Sequence, residues 1–311
     1  MAVILITTLM LALVAVQGER NWNFDNTDAV RGPSHWKDSY PGCGGKRQSP
    51  VSIKTDESEQ QSELEEFVLT NYDNTVPSLT LTNNGDRVKV LVNGGKPKLS
   101  GGGLGFAYEM SQFHFHWSTN NKRGSEHKID DDEYAGELHI GHLKQGSNAA
   151  DAYADPQGIA ILAVLLKAGG SEDHPAYEKI FQYLDKIENA SNEYEMPSFV
   201  LRDLLPSNLH KYYRYNGSRA EPPCEEAAIW TIFHEPVTLS DNQFERLRQL
   251  KNKDKFLLHN NRPVAPLYDR KIYISWRKHS KEGVADNCNG LKVSKSFIIT
   301  VVIMAFLKQL T

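Results

Sequence analysis

Residues 112–142 read QFHFHWSTNNKRGSEHKIDDDEYAGELHIGH, and the reading of this stretch decides the fold. His114 and His116 are alternate residues of an aromatic run. On a β-strand their imidazoles point to one face while Phe113 and Phe115 point to the other. A second strand-like run, Glu137-Leu138-His139-Ile140, puts His139 on the same face as Glu137, a carboxylate placed to accept the free imidazole N–H and fix its tautomer. His114, His116 and His139 are therefore the candidate metal ligands. Three neutral imidazoles leave a fourth position on zinc open, which is the catalytic rather than the structural arrangement. Taken alone a His-x-His pair is weak, because alternate histidines on a strand are more often ordinary polar-face residues. His127 follows a turn and His142 faces away from His139, so both read as structural.

Outward from this stretch, strand signals dominate. Leu79–Thr82, Val88–Val92, Met110–His116, Ile159–Leu166, Ile229–Phe233 and Ile272–Trp276 are short, apolar or alternating runs bounded by Gly, Pro, Asn or Asp. Gly101-Gly102-Gly103 reads as a turn before the histidine strand, and no Gly-rich phosphate loop follows a strand. Helices are few. The run after Pro175 carries Ile180, Phe181, Leu184 and Ile187 at helical spacing, and Ser240–Leu250 opens with a capping box from Ser240 to Gln243. This pattern predicts a β-dominated α+β fold with short peripheral helices. With no repeat or long linker, residues 19–285 read as a single domain large enough for a sizeable core.

The termini read differently. Residues 1–18, MAVILITTLMLALVAVQG, are apolar and end in small residues before Glu19-Arg20, the pattern of a secretory signal peptide. A membrane anchor is the competing reading, but the apolar core is shorter than the roughly 20 residues a span requires. The formal charge of −4 over 311 residues gives no footprint for nucleic acid.

The whole of residues 112–139 resembles the signature of the α-class carbonic anhydrases: a glutamine, two zinc histidines flanked by phenylalanine and tryptophan, a Gly-Ser-Glu-His turn and a third zinc histidine. Here these are Gln112 to Trp117, Gly124 to His127 and Glu137 to His139. Trp22, Gly32-Pro33-Ser34-His35-Trp36, Gln48-Ser49-Pro50-Val51, Asn83-Asn84-Gly85, Tyr215 to Pro223, Trp230 and Asn260-Asn261-Arg262-Pro263 are similar to further family landmarks, in the family's order. The resemblance implies a large, mostly antiparallel twisted sheet with Zn2+ at the floor of a conical cleft. It also implies a zinc lyase that hydrates carbon dioxide reversibly to bicarbonate and a proton, through attack by hydroxide held on zinc. Gln112, Glu137 and the backbone at Asn260 become the partners of His114, His139 and His116. Cys43 and Cys224 match the disulfide of extracellular members, a bond that persists outside the cytosol.

Cys288 is left over, just ahead of the apolar run Phe297–Leu307. Small residues at Ala285 or Asn287, a polar spacer and a short apolar tail fit a lipid-anchor attachment signal over residues 286–311, whose removal would discard Cys288. A buried strand or a membrane span are the competing readings. The expected location is the outer face of the plasma membrane, with a secreted form as the alternative. Asn189-Ala190-Ser191 and Asn216-Gly217-Ser218 are candidate glycosylation sites.

Three departures from the family pattern qualify its activity. Between Gly217-Ser218 and Pro222-Pro223 the family reads leucine, threonine, threonine, whereas this chain reads Arg219, Ala220, Glu221. The first threonine normally links the zinc-bound nucleophile to the glutamate represented by Glu126. Ala220 cannot, and a misaimed nucleophile costs on the order of a hundredfold in rate. Glu221 brings a carboxylate near the metal that repels anions, and it either turns inward to ligate zinc or points to solvent across the cleft mouth. Asp86 stands where the fastest members carry a proton-relay histidine, and an ordinary aspartate pKa near 3.9 does not suit that task. The apolar wall for CO2 keeps Ile161, Ala228 and Trp230, loses bulk at Gly141 and gains a charge at Arg219, which is placed to offset Glu221. Two functions follow: a slowed enzyme at the cell surface, or a catalytically impaired zinc-binding relative retained for binding.

Overall fold

A computed structural model describes residues 21–252 and 255–277. The leader expected over residues 1–18, and Ala285, Asn287, Cys288 and the apolar C-terminal tail, lie outside the described residues. Within these, no helix is long and apolar enough to cross a membrane.

The alternation of phenylalanine and histidine builds a sheet with two unlike faces. Phe113, Phe115, Leu138 and Ile140 enter the larger apolar core together with Val88, Val90, Leu162 and Val164. Phe115 is fully buried, with its ring centroid 5.1 Å from Phe181. Truncating it to alanine should cost about 3–5 kcal/mol. The histidine face is covered instead by a second core containing Ile161, Tyr215 and Trp230, and by an N-terminal cluster of Phe24, Trp36 and Cys224.

The main sheet is mostly antiparallel. Its strands run in the order Glu193–Met196, Ser78–Asn83, Val88–Asn93, Tyr108–Trp117, Gly136–Lys144, Ile159–Gly170, Ala228–Phe233, Tyr212–Gly217, Tyr273–Ile274 and Glu59–Gln60. Strands Phe67–Thr70, Lys98–Gly101 and Val237–Ser240 join it off this line. Parallel pairing is confined, within this sheet, to Ile159–Gly170 with Ala228–Phe233 and with Val237–Ser240, and to Tyr273–Ile274 with Glu59–Gln60.

Register decides which side chains meet, because directly opposed residues of an antiparallel pair share a face. His114 is opposed by His139 and His116 by Glu137. On the other side of the same strand, Lys89 opposes His114. Gln112 opposes Gly141, after a register shift between Met110 and Gln112. Gly141 is opposed in turn by Ile161, and Ile161 by Trp230.

The helices follow their sequence signals with two differences. Asp241–Arg248 carries the full capping box: the Ser240 hydroxyl accepts from the Gln243 N–H, and the Gln243 side chain accepts from the Ser240 N–H. The run after Pro175 is not one helix. It divides into an α-helix, Pro175–Phe181, and a 3-10 turn, Leu184–Ile187, with Ile180, Phe181, Leu184 and Ile187 all buried. Both geometries return a side chain to the same face every three to four residues, so periodicity does not register the break. The strand expected over Ile272–Trp276 shortens to Tyr273–Ile274; at its end the Ser275 hydroxyl accepts the Tyr212 N–H at 2.9 Å, while the Ser275 N–H still donates to the Tyr212 carbonyl at 3.2 Å.

Candidate metal centre

His114, His116 and His139 converge, each offering a ring nitrogen within 4.8 Å of the others, and all three are buried. In each ring the other nitrogen is already engaged. His114 Nδ1 bonds Gln112 Oε1 at 2.9 Å, His116 Nδ1 donates to the Asn260 carbonyl at 2.9 Å, and His139 Nε2 donates to Glu137 Oε1 at 2.7 Å. These acceptors fix the tautomers and aim His114 Nε2, His116 Nε2 and His139 Nδ1 inward. Nε2 of both His114 and His116 is buried with no hydrogen-bond partner. Burial, followed for His114 by the nearby Arg87 and for His116 by His139, holds both imidazoles well below their usual pKa, and burial outweighs Glu137 to lower His139 too. Neutral imidazoles with orphaned, convergent nitrogens are the donor set a tetrahedral Zn2+ takes, with one position left for a non-protein ligand.

Asn260 is more than a carbonyl. Its Nδ2 donates to the Phe115 carbonyl, its Oδ1 accepts the Trp117 N–H, and its own N–H donates to the Trp117 carbonyl, which pins the strand end carrying His116. Glu137 accepts from His127 Nδ1 as well as His139, and from the backbone N–H groups of Glu126 and His127. Burial opposes its charge, but His127 and His139 hold its carboxyl well below the ordinary range. His127 also pairs with the Tyr215 hydroxyl at 2.7 Å, so the trio His127, Glu137 and His139 is a closed hydrogen-bond cluster rather than a second metal cage. His142 bonds the Tyr72 hydroxyl and donates to the Ala160 carbonyl.

Glu126 lies against the triad. Its Oε1 accepts the Arg262 N–H at 2.7 Å, while Oε2, 3.9 Å from His139 Nδ1, is buried without a hydrogen-bond partner. Burial raises its pKa well above the usual value, only partly opposed by the Arg262 N–H. Ala220 is buried and lines the cleft, with no hydroxyl to offer.

Glu221 is neither turned onto the histidines nor left to solvent, and Arg219 offsets its charge as the sequence suggests. One of its oxygens accepts from Arg87 Nη1 at 2.7 Å and the other from Arg219 Nη2 at 2.6 Å. Burial opposes the charge, yet the two guanidinium groups hold the carboxyl well below the ordinary range. Arg219 also reaches Glu225 at 3.3 Å and stacks over Tyr153, and Arg87 donates to Asp86 at 3.1 Å. A chain of charges, Glu225–Arg219–Glu221–Arg87–Asp86, thus crosses the cleft. It separates an inner lobe, lined by His114, His139, Gly141, Ile161, Ala220 and Trp230, from a polar outer lobe lined by Trp22, Asn84, Asp86 and Arg87. Ala228, expected on the wall, is fully buried in the second core and is not among the residues that line either lobe.

Sequence reading missed Arg87 and Lys89. The alternation Arg87-Val88-Lys89-Val90 put both on the face opposite the valines, but only the register with His114 shows that this face looks onto the metal site. Cys43 and Cys224 are bonded, which ties the N-terminal segment to the cleft-lining segment 219–225. Asn189 and Asn216 are both exposed.

Residues 31–276 match the family model for eukaryotic-type carbonic anhydrase. The chain is 33% identical to human carbonic anhydrase 7 over 84% of this chain and 99% of that protein. It is 30% identical to the putative carbonic anhydrase 5 of Caenorhabditis elegans over 97% of both, and 32% identical to carbonic anhydrase 1 of Mus musculus over 82% of this chain and 98% of that protein.

Proposed function

The chain belongs to the eukaryotic-type carbonic anhydrase family, and from that premise we propose that it hydrates carbon dioxide reversibly to bicarbonate and a proton, as a slow member. The observation that carries this reading is the set of three buried imidazoles, each with one nitrogen held by its own acceptor and the other left for a metal. Carbonic anhydrase is itself the standard example of the chemistry zinc supplies there: a bound water whose pKa falls to about 7.

The remaining work belongs to the chain's own groups. Gln112, Asn260 and Glu137 orient the imidazoles, and burial keeps them neutral. Ile161, Leu143 and Trp230 give a small uncharged substrate an apolar wall in the inner lobe. Glu126 can aim a nucleophile only through Oε2, which lacks the intervening hydroxyl because residue 220 is alanine. Asp86, bonded to Arg87, is a poor relay, so protons leave through water or buffer.

The Cys43–Cys224 bond supports an oxidising compartment, and with the leader and tail signals it supports display at the outer face of the plasma membrane through a lipid anchor, or secretion, with glycans on Asn189 and Asn216. A second reading, a zinc-binding domain with little activity kept for surface binding, is favoured by the unpartnered Glu126 oxygen.

Stopped-flow CO2 hydration by the zinc-loaded protein, with His114→Ala as the blank, separates the two. Hydration above the blank supports the enzyme. A rate equal to the blank, with zinc content verified, rejects it.

A further inference from the structure

Most charges of the cleft are spent on one another. Arg87 and Arg219 are taken by Asp86, Glu221 and Glu225. Lys89 is the exception: among the described residues no carboxylate lies within ion-pair distance of it, although it lines both lobes. It opposes His114 in the sheet and so projects from the metal-bearing face, half-buried. Burial, and after it the neighbouring Arg87, push its amine below its ordinary pKa, so a negative charge arriving beside it relieves a standing cost.

A second set of donors lies next to it. Gln112 also lines both lobes, and its Oε1 is committed to His114 Nδ1, which leaves the N–H2 end of the carboxamide for another acceptor. That end lies over Gly141, where an added Cβ would stand only 3.0 Å from Nε2, so the missing side chain at 141 makes room for the amide. An ammonium and a carboxamide N–H2 opening on the same space match the two oxygens of a planar carboxylate. The carboxylates of the ion chain disfavour a ligand of higher negative charge.

We propose that Lys89 and Gln112 form a second anion subsite, between the two lobes, that takes a small monovalent carboxylate such as bicarbonate on its way from the metal centre. The choice of bicarbonate rests on the carbonic anhydrase reading, whereas the subsite rests on the two unspent donors.

The test uses 13C-bicarbonate and, separately, 13C-acetate titrated into the zinc-stripped protein, with line broadening as the readout and circular dichroism to verify the fold. Removing zinc eliminates the metal as a competing anion site. Saturable broadening is expected for both probes, with binding at least about tenfold weaker in Lys89→Ala, the loss of one charge-assisted hydrogen bond, and near-normal binding in Lys89→Arg. Unsaturable broadening, or equal binding by Lys89→Ala, would overturn the subsite. Broadening of acetate but not of bicarbonate would overturn the transit role. Lys89-dependent broadening alongside a dead zinc-loaded enzyme would refute the hydration reading and leave the subsite standing.

Discussion

Ala220→Thr should improve both the stability and the activity of this protein, for one physical reason. Glu126 is fully buried; its Oε1 is satisfied by the Arg262 N–H at 2.7 Å and its Oε2 by nothing. A buried acceptor without a donor costs about 1–3 kcal/mol. Ala220 borders the inner lobe, so the methyl and hydroxyl of threonine would extend into open space rather than into packed atoms. A hydroxyl that reached Oε2 would recover part of that cost, raising the melting temperature by roughly 2–4 °C per kcal/mol for a domain of this size. It would also favour the charged form of Glu126, which burial now disfavours. Correct aim of the nucleophile is worth on the order of tenfold to a hundredfold in rate. The assays are stopped-flow CO2 hydration of the zinc-loaded variant and thermal unfolding. Ala220→Val is the control, because it fills the same space without a donor. Equal gains in threonine and valine, or no gain in either with zinc bound, would refute the hydrogen-bond explanation.

Three further outcomes are expected. Glu221→Gln leaves Arg87 with Asp86 and Arg219 with Glu225, so neither charge is uncompensated and the loss should be that of weakened charge-assisted hydrogen bonds, about 1.5–3 kcal/mol; a urea midpoint within error of wild type would show that the bridge contributes nothing. Burial holds His142 at about 4 against an ordinary 6.5, so its contribution is complete above pH 6.5 and is lost as pH falls toward 4, about 3 kcal/mol in all. Metal-free His142→Asn should lose that much of the pH dependence between pH 7 and 4, and an unchanged dependence in the variant counts against the assignment. The Cys43–Cys224 bond closes a loop of 181 residues, so loop entropy alone predicts a loss of about 5 kcal/mol on reduction, to be sought as a lower melting temperature in dithiothreitol. An unmoved melting temperature, with free thiols titrated, would refute it.

The strands and the faces of the three histidines were legible because both depend on a period of two: the FHFH and ELHI runs each fix a face without reference to any other part of the chain, while the resemblance of the whole stretch singled the histidines out as ligands and supplied the large antiparallel sheet. What depends on register was not. Lys89 alternates with valines as plainly as His114 alternates with phenylalanines, but its face has no meaning until His114 is known to oppose it. Glu221 was read as either ligand or solvent-facing because its partner Arg87 lies 134 residues earlier, and nothing local to either residue predicts the pair. Ala228 was expected on the wall from the family resemblance, which does not register that the residue is fully buried in the second core.

The ion chain across the cleft also constrains the order in which this sequence can change. Replacing Glu221 alone by threonine leaves Arg87, whose side chain is only 5% exposed, with Asp86 as its one remaining carboxylate in that chain, and replacing Arg219 alone by leucine leaves Glu221 half-neutralised and Glu225 without its partner. Each single step toward the pattern of the faster enzymes is therefore downhill in stability, while the combined change is far less so, since contacting groups do not contribute additively. Ala220 stands outside this bind, with no charge to leave behind. The one substitution that restores the hydroxyl is accessible by itself, and the adjacent glutamate can be exchanged only in company with its arginines.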